Sequence, residues 1–328
     1  MTSFYSLPLT AAFGLFYRLV SQPPSYSFNR IPKTDSNYYP EKSGKLLFYY
    51  NNFPPNNSYN IGMRKQAIGV FDSGLGGLTI LKALRRALPR ENLIYFGDTA
   101  NVPYGSKSKQ TVTRFSLDIA RFLAAQNVKM IIVACNTASA LALAELRKQC
   151  RVPVLGVIEP GAQKAALTTK NGRIAVLGTE ATVRSKAYPK AIKKHLSQAH
   201  IIQQACPLFV PLVETNWAKK PATQLIAQTY LAPVLRSKAD TVILGCTHYP
   251  VLKHVIKRVL GPQVKLVDSA ETLAEAATCF LREHHQNETT GRGTLTVYAS
   301  DDPARFKRLA ACLLAGKIGT VHLKKLNA

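Results

Sequence analysis

The sequence predicts an α/β protein of the doubly wound kind, built as two pseudo-symmetric lobes with mainly parallel sheets. From residue 63 onward, short apolar runs rich in β-branched residues alternate with segments of helical periodicity. Continuous apolar strands between helices are typical of parallel sheets that are covered on both faces. Two strands also end in similar sequences, which indicates an internal repeat.

The apolar runs predict nine strands, at 67–71, 93–96, 129–133, 154–157, 174–177, 201–205, 241–244, 264–267 and 295–299. Helical periodicity follows the first, second and third of them, at 77–88, 110–126 and 138–149. We expect a first lobe of residues 63–159 plus 271–328 and a second lobe of residues 160–270.

The repeat concerns the ends of two strands. The segment IIVACNT at 131–137 resembles VILGCTH at 242–248, since each is an apolar strand followed by a small residue, a cysteine and a threonine. A weaker similarity links VFDS at 70–73 to LVDS at 266–269. Two facing lobes would bring both cysteine loops to the carboxyl ends of parallel strands, where such sheets bind ligands.

The composition favours a folded, basic protein. The chain has 328 residues, 46% of them hydrophobic, with 43 Lys+Arg against 18 Asp+Glu and a net charge of +25. The basic residues form isolated pairs along the chain and no nucleic-acid-binding motif, so we expect non-specific attraction to polyanions but no specific nucleic-acid partner. A positive field also suits a small dianionic substrate.

Residues 1–62 differ in texture from the rest of the chain. They hold 14 of the 28 aromatic residues and show no sustained period. The first basic residue, Arg18, follows the apolar stretch, which argues against a signal peptide, and Pro8 and Thr10 interrupt that stretch, which argues against a membrane span. We expect a non-globular N-terminal extension and no association with a membrane.

The six cysteines predict free thiols. None has CxxC or CxxH spacing, so we expect no metal site, and a chain of this size needs no disulfides. Free thiols suit a reducing, cytoplasmic location. We expect Cys150, Cys206, Cys279 and Cys312 to be small buried hydrophobic residues.

Cys135 and Cys246 stand apart because each follows a buried strand and precedes a helix. The N–H groups of a helix start can lower the pKa of a thiol. One such cysteine could be an acyl-transfer nucleophile, and two could be merely structural. Racemisation at an α-carbon, however, needs a base on one face and an acid on the other, and two opposed thiols supply both without a cofactor.

Two loops add polar groups whose role the residues alone leave open. DSGLGG at 72–77 is either an anion-binding turn or a tight strand-to-helix turn with Asp72 as a cap, and it lacks the GxGxxG spacing of dinucleotide sites. The loop at 96–105 offers Tyr104 and backbone amides to a carboxylate. His248 could assist Cys246 or cap a helix.

Taken together, these segments resemble the glutamate racemases of the aspartate/glutamate racemase superfamily. The resemblance runs in order over 63–328 and rests on IGVFDSGLGG at 68–77, GDT at 97–99, PYG at 103–105, VACNTA at 133–138, GVIEPG at 156–161 and LGCTHYP at 244–250. The last segment is more similar to glutamate racemases than to their aspartate- or hydantoin-processing relatives.

The resemblance implies an active site between the two lobes and cofactor-independent interconversion of L- and D-glutamate in a homodimer, with D-glutamate supplied to peptidoglycan synthesis. Cys135 and Cys246 would be the acid/base pair, assisted by Asp72 and His248. Asp72 and His248 would also hold the substrate. The other residues that would hold it are Ser73, Tyr104, Gly105, Asn136, Thr137 and Thr247. Asp98 and Glu159 match positions near the site. The alternatives are a racemase of another amino acid, such as aspartate, and a binding protein that inhibits DNA gyrase, as some members of the family do.

Overall fold

The computed structural model describes residues 64–314 and 318–326, apart from the side chains of residues 312 and 313. The extension predicted at 1–62 lies outside the described residues. Within them, ten strands form two sheets: β1 (Ile68–Asp72), β2 (Leu93–Gly97), β3 (Met130–Val133), β4 (Val154–Gly156), β5 (Arg173–Gly178), β6 (His200–Ala205), β7 (Thr241–Gly245), β8 (Lys265–Asp268), β9 (Leu295–Ala299) and β10 (Val321–Leu323).

The helices that join the strands are α1 (Leu78–Ala87), α2 (Lys109–Ala125), α3 (Asn136–Leu141), α4 (Leu143–Gln149), α5 (Ile158–Thr168), α6 (Glu180–Ser185), α7 (Ala187–His195), α8 (Phe209–Glu214), α9 (Pro221–Arg236), α10 (Lys253–Leu260), α11 (Ser269–Glu283) and α12 (Pro303–Leu314). Short 3-10 turns lie at Thr99–Asn101, Tyr104–Ser106 and Tyr249–Leu252.

The two sheets share one topology. The first has the strand order β10-β9-β2-β1-β3-β4 and the second has the order β6-β5-β7-β8, with every pair parallel. In each sheet the second strand in chain order pairs with one edge of the first strand, and the third strand pairs with its other edge. This reversal of strand order leaves a crevice at the carboxyl ends of the strands, which is where doubly wound folds bind ligands. The predicted fold class, with its internal pseudo-symmetry, is confirmed.

This topology corrects one of the two predicted echoes. β3 and β7, which precede the two cysteines, are both the third strand of their sheet and both pair with its first strand. β1, however, corresponds to β5, whereas β8 occupies the place of β4. The similarity of VFDS at 70–73 to LVDS at 266–269 is therefore not structural equivalence, and the true counterpart of the loop after β1 is the loop after Gly178.

Burial explains why these runs form strands. All residues of β1, β3 and β7 are buried, as expected for strands with helices on both faces. One apolar core continues from the first sheet into the second, with Val70 and Ile243 as members on either side. The exact lobe boundaries stay a prediction.

All nine predicted strands are present, with ends within one residue of the prediction. β10 was missed, since three residues give too short a pattern. The predicted helix at 138–149 is divided at Ala142 into α3 and α4. Of the cysteines expected to be buried, Cys206 is buried, Cys150 and Cys279 are only partly so, and the side chain of Cys312 lies outside the described part. No helix in the described ranges is long and apolar enough to cross a membrane.

Candidate active site

A cavity of about 460 Å³ lies between the carboxyl ends of the two sheets. Both predicted thiols line it, and so do most of the residues expected to hold a substrate. The cavity-lining residues that the sequence predicted are Ser73, Tyr104, Gly105, Cys135, Asn136, Thr137, Cys246, Thr247 and His248. The structure therefore brings together residues that are more than 170 positions apart in the chain.

Cys135 sits at the start of α3, directly after β3. It is 5% exposed, and its Sγ accepts a hydrogen bond from the N–H of Ala138 at 3.4 Å, so the thiol caps the helix. Sγ also donates to Oγ of Ser73, which follows β1, at 3.6 Å. The hydroxyl of Ser73 and the helix start thus fix where this thiol points.

The N–H of Ala138 at the helix start acts to lower the pKa of this thiol, as expected, but burial outweighs it. Burial, together with the negative charge of Asp72, raises the pKa of Cys135 to about 12, against the opposing hydrogen bonds of Ala138 and Ser73. A helix of six residues contributes too little to offset desolvation. Cys135 is therefore protonated near neutral pH.

Cys246 has a different partner, the imidazole of His248. Its Sγ lies 3.8 Å from Nδ1 of His248, and Nε2 on the other side of the ring lies 3.0 Å from Oε1 of Glu214. Burial alone would lower the pKa of His248, but its hydrogen bonds and charge interactions with Cys246 and Glu214 raise that pKa to about 10. The ring therefore stays a cation between a sulfur and a carboxylate. His248 makes no side-chain capping bond, which excludes the capping alternative.

Asp72 lies behind the cavity and does not line it. It is fully buried, and its Oδ2 accepts from the N–H of Gly74 at 2.9 Å. Burial raises the pKa of Asp72, while His248 and the N–H groups of the loop oppose that shift. The N-cap residue of α1 is Gly77 and not Asp72, although the Asp72 carboxylate interacts with the N–H groups of Gly77, Gly74 and Ser73 in the turn that leads into the helix.

The glycines of this loop are explained by close packing. A Cβ atom at Gly77 would lie 2.5 Å from Cβ of Asp72, and one at Gly76 would lie 2.5 Å from Nδ1 of His248. The hydroxyl of Thr79 also donates to the carbonyl of Thr247 at 3.1 Å. The turn between β1 and α1 therefore packs against Asp72 on one side and against the loop after β7, which contains Cys246, on the other.

Asp98 acts on the cavity through Tyr104. The Tyr104 hydroxyl donates to Oδ2 of Asp98 at 2.5 Å, while Asn101 and Ser300 donate to Oδ1 at 3.0 and 2.8 Å. Burial and the Asp98 charge hold the pKa of Tyr104 far above its usual value, so the hydroxyl keeps its proton. Because the Tyr104 hydroxyl donates this proton to Asp98, it is not available as a donor to a substrate. The groups of this turn that can contact a substrate are its backbone amides and the ring of Tyr104.

Three threonine hydroxyls join the two halves beside Cys135. Oγ1 of Thr137 lies 2.9 Å from Oγ1 of Thr179 and 3.3 Å from Oγ1 of Thr182. Thr179 follows β5 and lines the cavity. Thr179 also favours glycine at position 105, because a Cβ atom at Gly105 would come within 2.9 Å of the Cβ of Thr179.

Glu159, unlike Asp72 and Asp98, makes its side-chain contacts with residues that do not line the cavity. It pairs with Lys194 at 3.5 Å and with His195 at 3.2 Å, and it does not line the cavity. Burial would raise the pKa of Glu159, but the hydrogen bonds and charges of these two side chains lower it. The carboxylates that do line the cavity are those of Glu180 and Glu214, and Glu214, at the end of α8, contacts His248.

The sequence analysis missed Thr179 and Glu214. Thr179 could have been found by aligning the halves by strand order, since it follows the counterpart of β1. Glu214 had no signal, because α8 is a short helix without a motif and only the folded chain brings it to His248.

Comparison with known proteins is consistent with this arrangement. Residues 68–277 match the model of the Asp/Glu/Hydantoin racemase family. The chain is 51% identical to glutamate racemase from Geobacter metallireducens over 264 residues, which cover 80% of this chain and 98% of the relative.

Two solved structures are also similar. Glutamate racemase from Thermus thermophilus in complex with β-chloro-D-alanine has 45% identity and a TM-score of 0.74, covering 80% of this chain and 98% of that one. Glutamate racemase from Francisella tularensis in complex with D-glutamate has 35% identity and a TM-score of 0.76, covering 80% and 99%.

The family match over residues 68–277 makes the chain a racemase by class, and its cavity contains a cysteine from each of the two sheets. The chain belongs to the Asp/Glu/Hydantoin racemase family, and within it to the glutamate racemases. The predictions of the family and of an isomerase are confirmed.

Proposed function

We propose that the protein interconverts L- and D-glutamate by a two-base mechanism without a cofactor. The observation that carries the proposal is that Cys135 and Cys246 follow equivalent strands of two equivalent sheets and line one cavity. Such a pair provides one proton-transfer group for each face of an α-carbon.

In the direction from L- to D-glutamate, the thiolate of Cys246 takes the α-proton and the thiol of Cys135 gives a proton to the opposite face. Cys246 is then a thiol and Cys135 a thiolate, and after D-glutamate leaves, proton exchange with solvent returns Cys135 to the thiol and Cys246 to the thiolate. The protonated His248 next to Cys246 stabilises a thiolate there. The high pKa of Cys135 keeps a proton ready for delivery.

The polar groups around the thiols suit two carboxylates. Ser73, Asn136, Thr137, Thr179 and Thr247 offer hydroxyl, amide or backbone donors around the cavity. Arg305, in the first turns of α12, is the sole Lys or Arg among the described residues that line it. Hydrogen bonds that strengthen as charge moves onto the substrate carboxylate would stabilise the carbanion-like transition state.

A circular-dichroism assay of the full chain tests this proposal. Either enantiomer of glutamate should proceed to the racemic mixture, because enantiomers have equal free energies. Dialysis against a chelator should leave the rate unchanged, and alkylation of the thiols should abolish it, with glutamate giving protection. Faster turnover of aspartate, or a requirement for added metal or pyridoxal phosphate, would contradict the proposal.

The same proposal includes a cytoplasmic homodimer that supplies D-glutamate for peptidoglycan synthesis. These points are supported by the family resemblance. Light scattering at several protein concentrations tests the dimer, and restoration of growth in a bacterial strain that requires D-glutamate tests the supply.

A further inference from the structure

A buried tyrosine of the second half contacts the substrate-facing loop of the first. Tyr188, on α7, is fully buried, and its hydroxyl donates to Oδ1 of Asn136 at 2.7 Å. Asn136 follows Cys135 directly, is 2% exposed and lines the cavity. Burial holds the pKa of Tyr188 above its ordinary value, so the phenol remains a hydrogen-bond donor.

This bond decides which end of the Asn136 amide is occupied. A side-chain amide has an acceptor oxygen and a donor nitrogen, and rotation about its last bond exchanges them. With Oδ1 held by Tyr188, Nδ2 is left over, and it is buried without a hydrogen-bond partner in the described structure. A buried N–H₂ without a partner is unfavourable, and a carboxylate in the adjoining cavity is the acceptor that would satisfy it.

The tyrosine itself is held firmly. Its ring packs against two glycines, because a Cβ atom at Gly245 would lie 3.1 Å from Cε2 and one at Gly161 would lie 3.5 Å from Cε1. Gly245 immediately precedes Cys246, so the same ring supports the backbone below the second thiol. A donor this constrained can impose one orientation on its acceptor.

We propose that Tyr188 is a positioning residue that fixes the Asn136 amide with its nitrogen presented to a carboxylate of the substrate. The proposal rests on the proposed glutamate racemisation. Without the phenol, the amide can turn over and place its oxygen toward the carboxylate, which weakens binding in the ground state and the transition state alike.

Tyr188→Phe tests this, with Tyr249→Phe as the matched control. Tyr249 is equally buried, and its hydroxyl donates to the carbonyl of Cys206 at 3.0 Å, away from Asn136. We expect Tyr188→Phe to raise the KM for glutamate about tenfold, the size of one lost charge-assisted hydrogen bond. Because the lost interaction stabilises the bound substrate and the transition state equally, kcat should stay within about threefold of the wild-type value. Tyr249→Phe should lower Tm and leave KM unchanged.

The Asn136→Ala background separates positioning from a structural role. There, Tyr188→Phe should give no further increase in KM. Calorimetric Kd values for D-glutamate, referred to the folded concentration from a melting scan, make the comparison independent of any loss of folded protein. An unchanged KM and Kd in Tyr188→Phe, or an equal increase in the Asn136→Ala background, would overturn the role of Tyr188 while wild-type racemisation stands. A wild-type chain that neither racemises nor binds glutamate would overturn both proposals.

Discussion

Gly76 lies against the imidazole of His248, so close that a Cβ atom at position 76 would be 2.5 Å from Nδ1 and nearer still to Oγ1 of Thr247. One residue belongs to the loop after β1 and the other to the loop after β7. The two halves that carry the thiols can therefore approach this closely only because residue 76 has no side chain.

Gly76→Ala should consequently displace the second thiol loop. A shift near 1 Å at a reacting group can cost about 10²-fold in rate, and we expect kcat to fall by roughly that factor. Gly319→Ala is the control, because a Cβ atom there meets nothing within 4 Å. The measurement is kcat together with Tm. A Gly76→Ala enzyme with wild-type kcat would show that the contact does not set the position of His248.

The second prediction concerns Glu214 and pH. Its carboxylate helps to keep His248 protonated, so Glu214→Gln should lower the pKa of His248 from its value of about 10. The imidazolium would then lose its proton at a lower pH, and the alkaline limb of the kcat/KM profile should shift to lower pH. Glu159→Gln is the control, since Glu159 pairs with Lys194 and His195 instead. An alkaline limb that Glu214→Gln leaves in place would contradict this assignment.

Arg305 provides a test of the electrostatic environment. Arg305→Gln should raise the KM for glutamate a few-fold at low salt, and the effect should shrink at high salt because the side chain is exposed and screened. Arg308→Gln removes the same charge from the same helix at an exposed position that does not line the cavity. Equal effects of the two substitutions would assign the change to net charge alone.

The sequence predicted the fold, the two thiols and several of the residues that line the cavity beside them. Buried parallel strands have a continuous apolar pattern, which is why nine strands were predicted within one residue of their ends. Cys135 and Cys246 were recognisable because chemistry at strand ends leaves short local motifs.

Contacts between distant elements were not predictable in this way. Glu214 reaches His248 only through the packing of α8, and the Tyr188 bond to Asn136 joins residues 52 positions apart. The sign of the shift at Cys135 was also missed, because burial of the folded site outweighs the local helix start. The motif match at Glu159 did not show that its side chain pairs with Lys194 and His195, because a local motif does not determine which way a helix directs its side chains.

The last prediction separates the two thiols by face. If they stand on opposite sides of the α-carbon, each removes the proton from one enantiomer only, and the family resemblance assigns D-glutamate to Cys135 and L-glutamate to Cys246. Serine keeps the shape but is a far poorer base, so racemisation should fall by about 10²-fold or more in both Cys135→Ser and Cys246→Ser.

Elimination of HCl from threo-3-chloroglutamate isolates the first proton transfer, because loss of the α-proton and of chloride needs no acid on the opposite face. Cys135→Ser should lose elimination from the D isomer and keep it with the L isomer, and Cys246→Ser should do the reverse. Each variant thus serves as the control for the other. If both variants lost both eliminations equally, the two-base assignment would be wrong, and the His248 pair with Cys246 would have to be reinterpreted as a single acid/base centre.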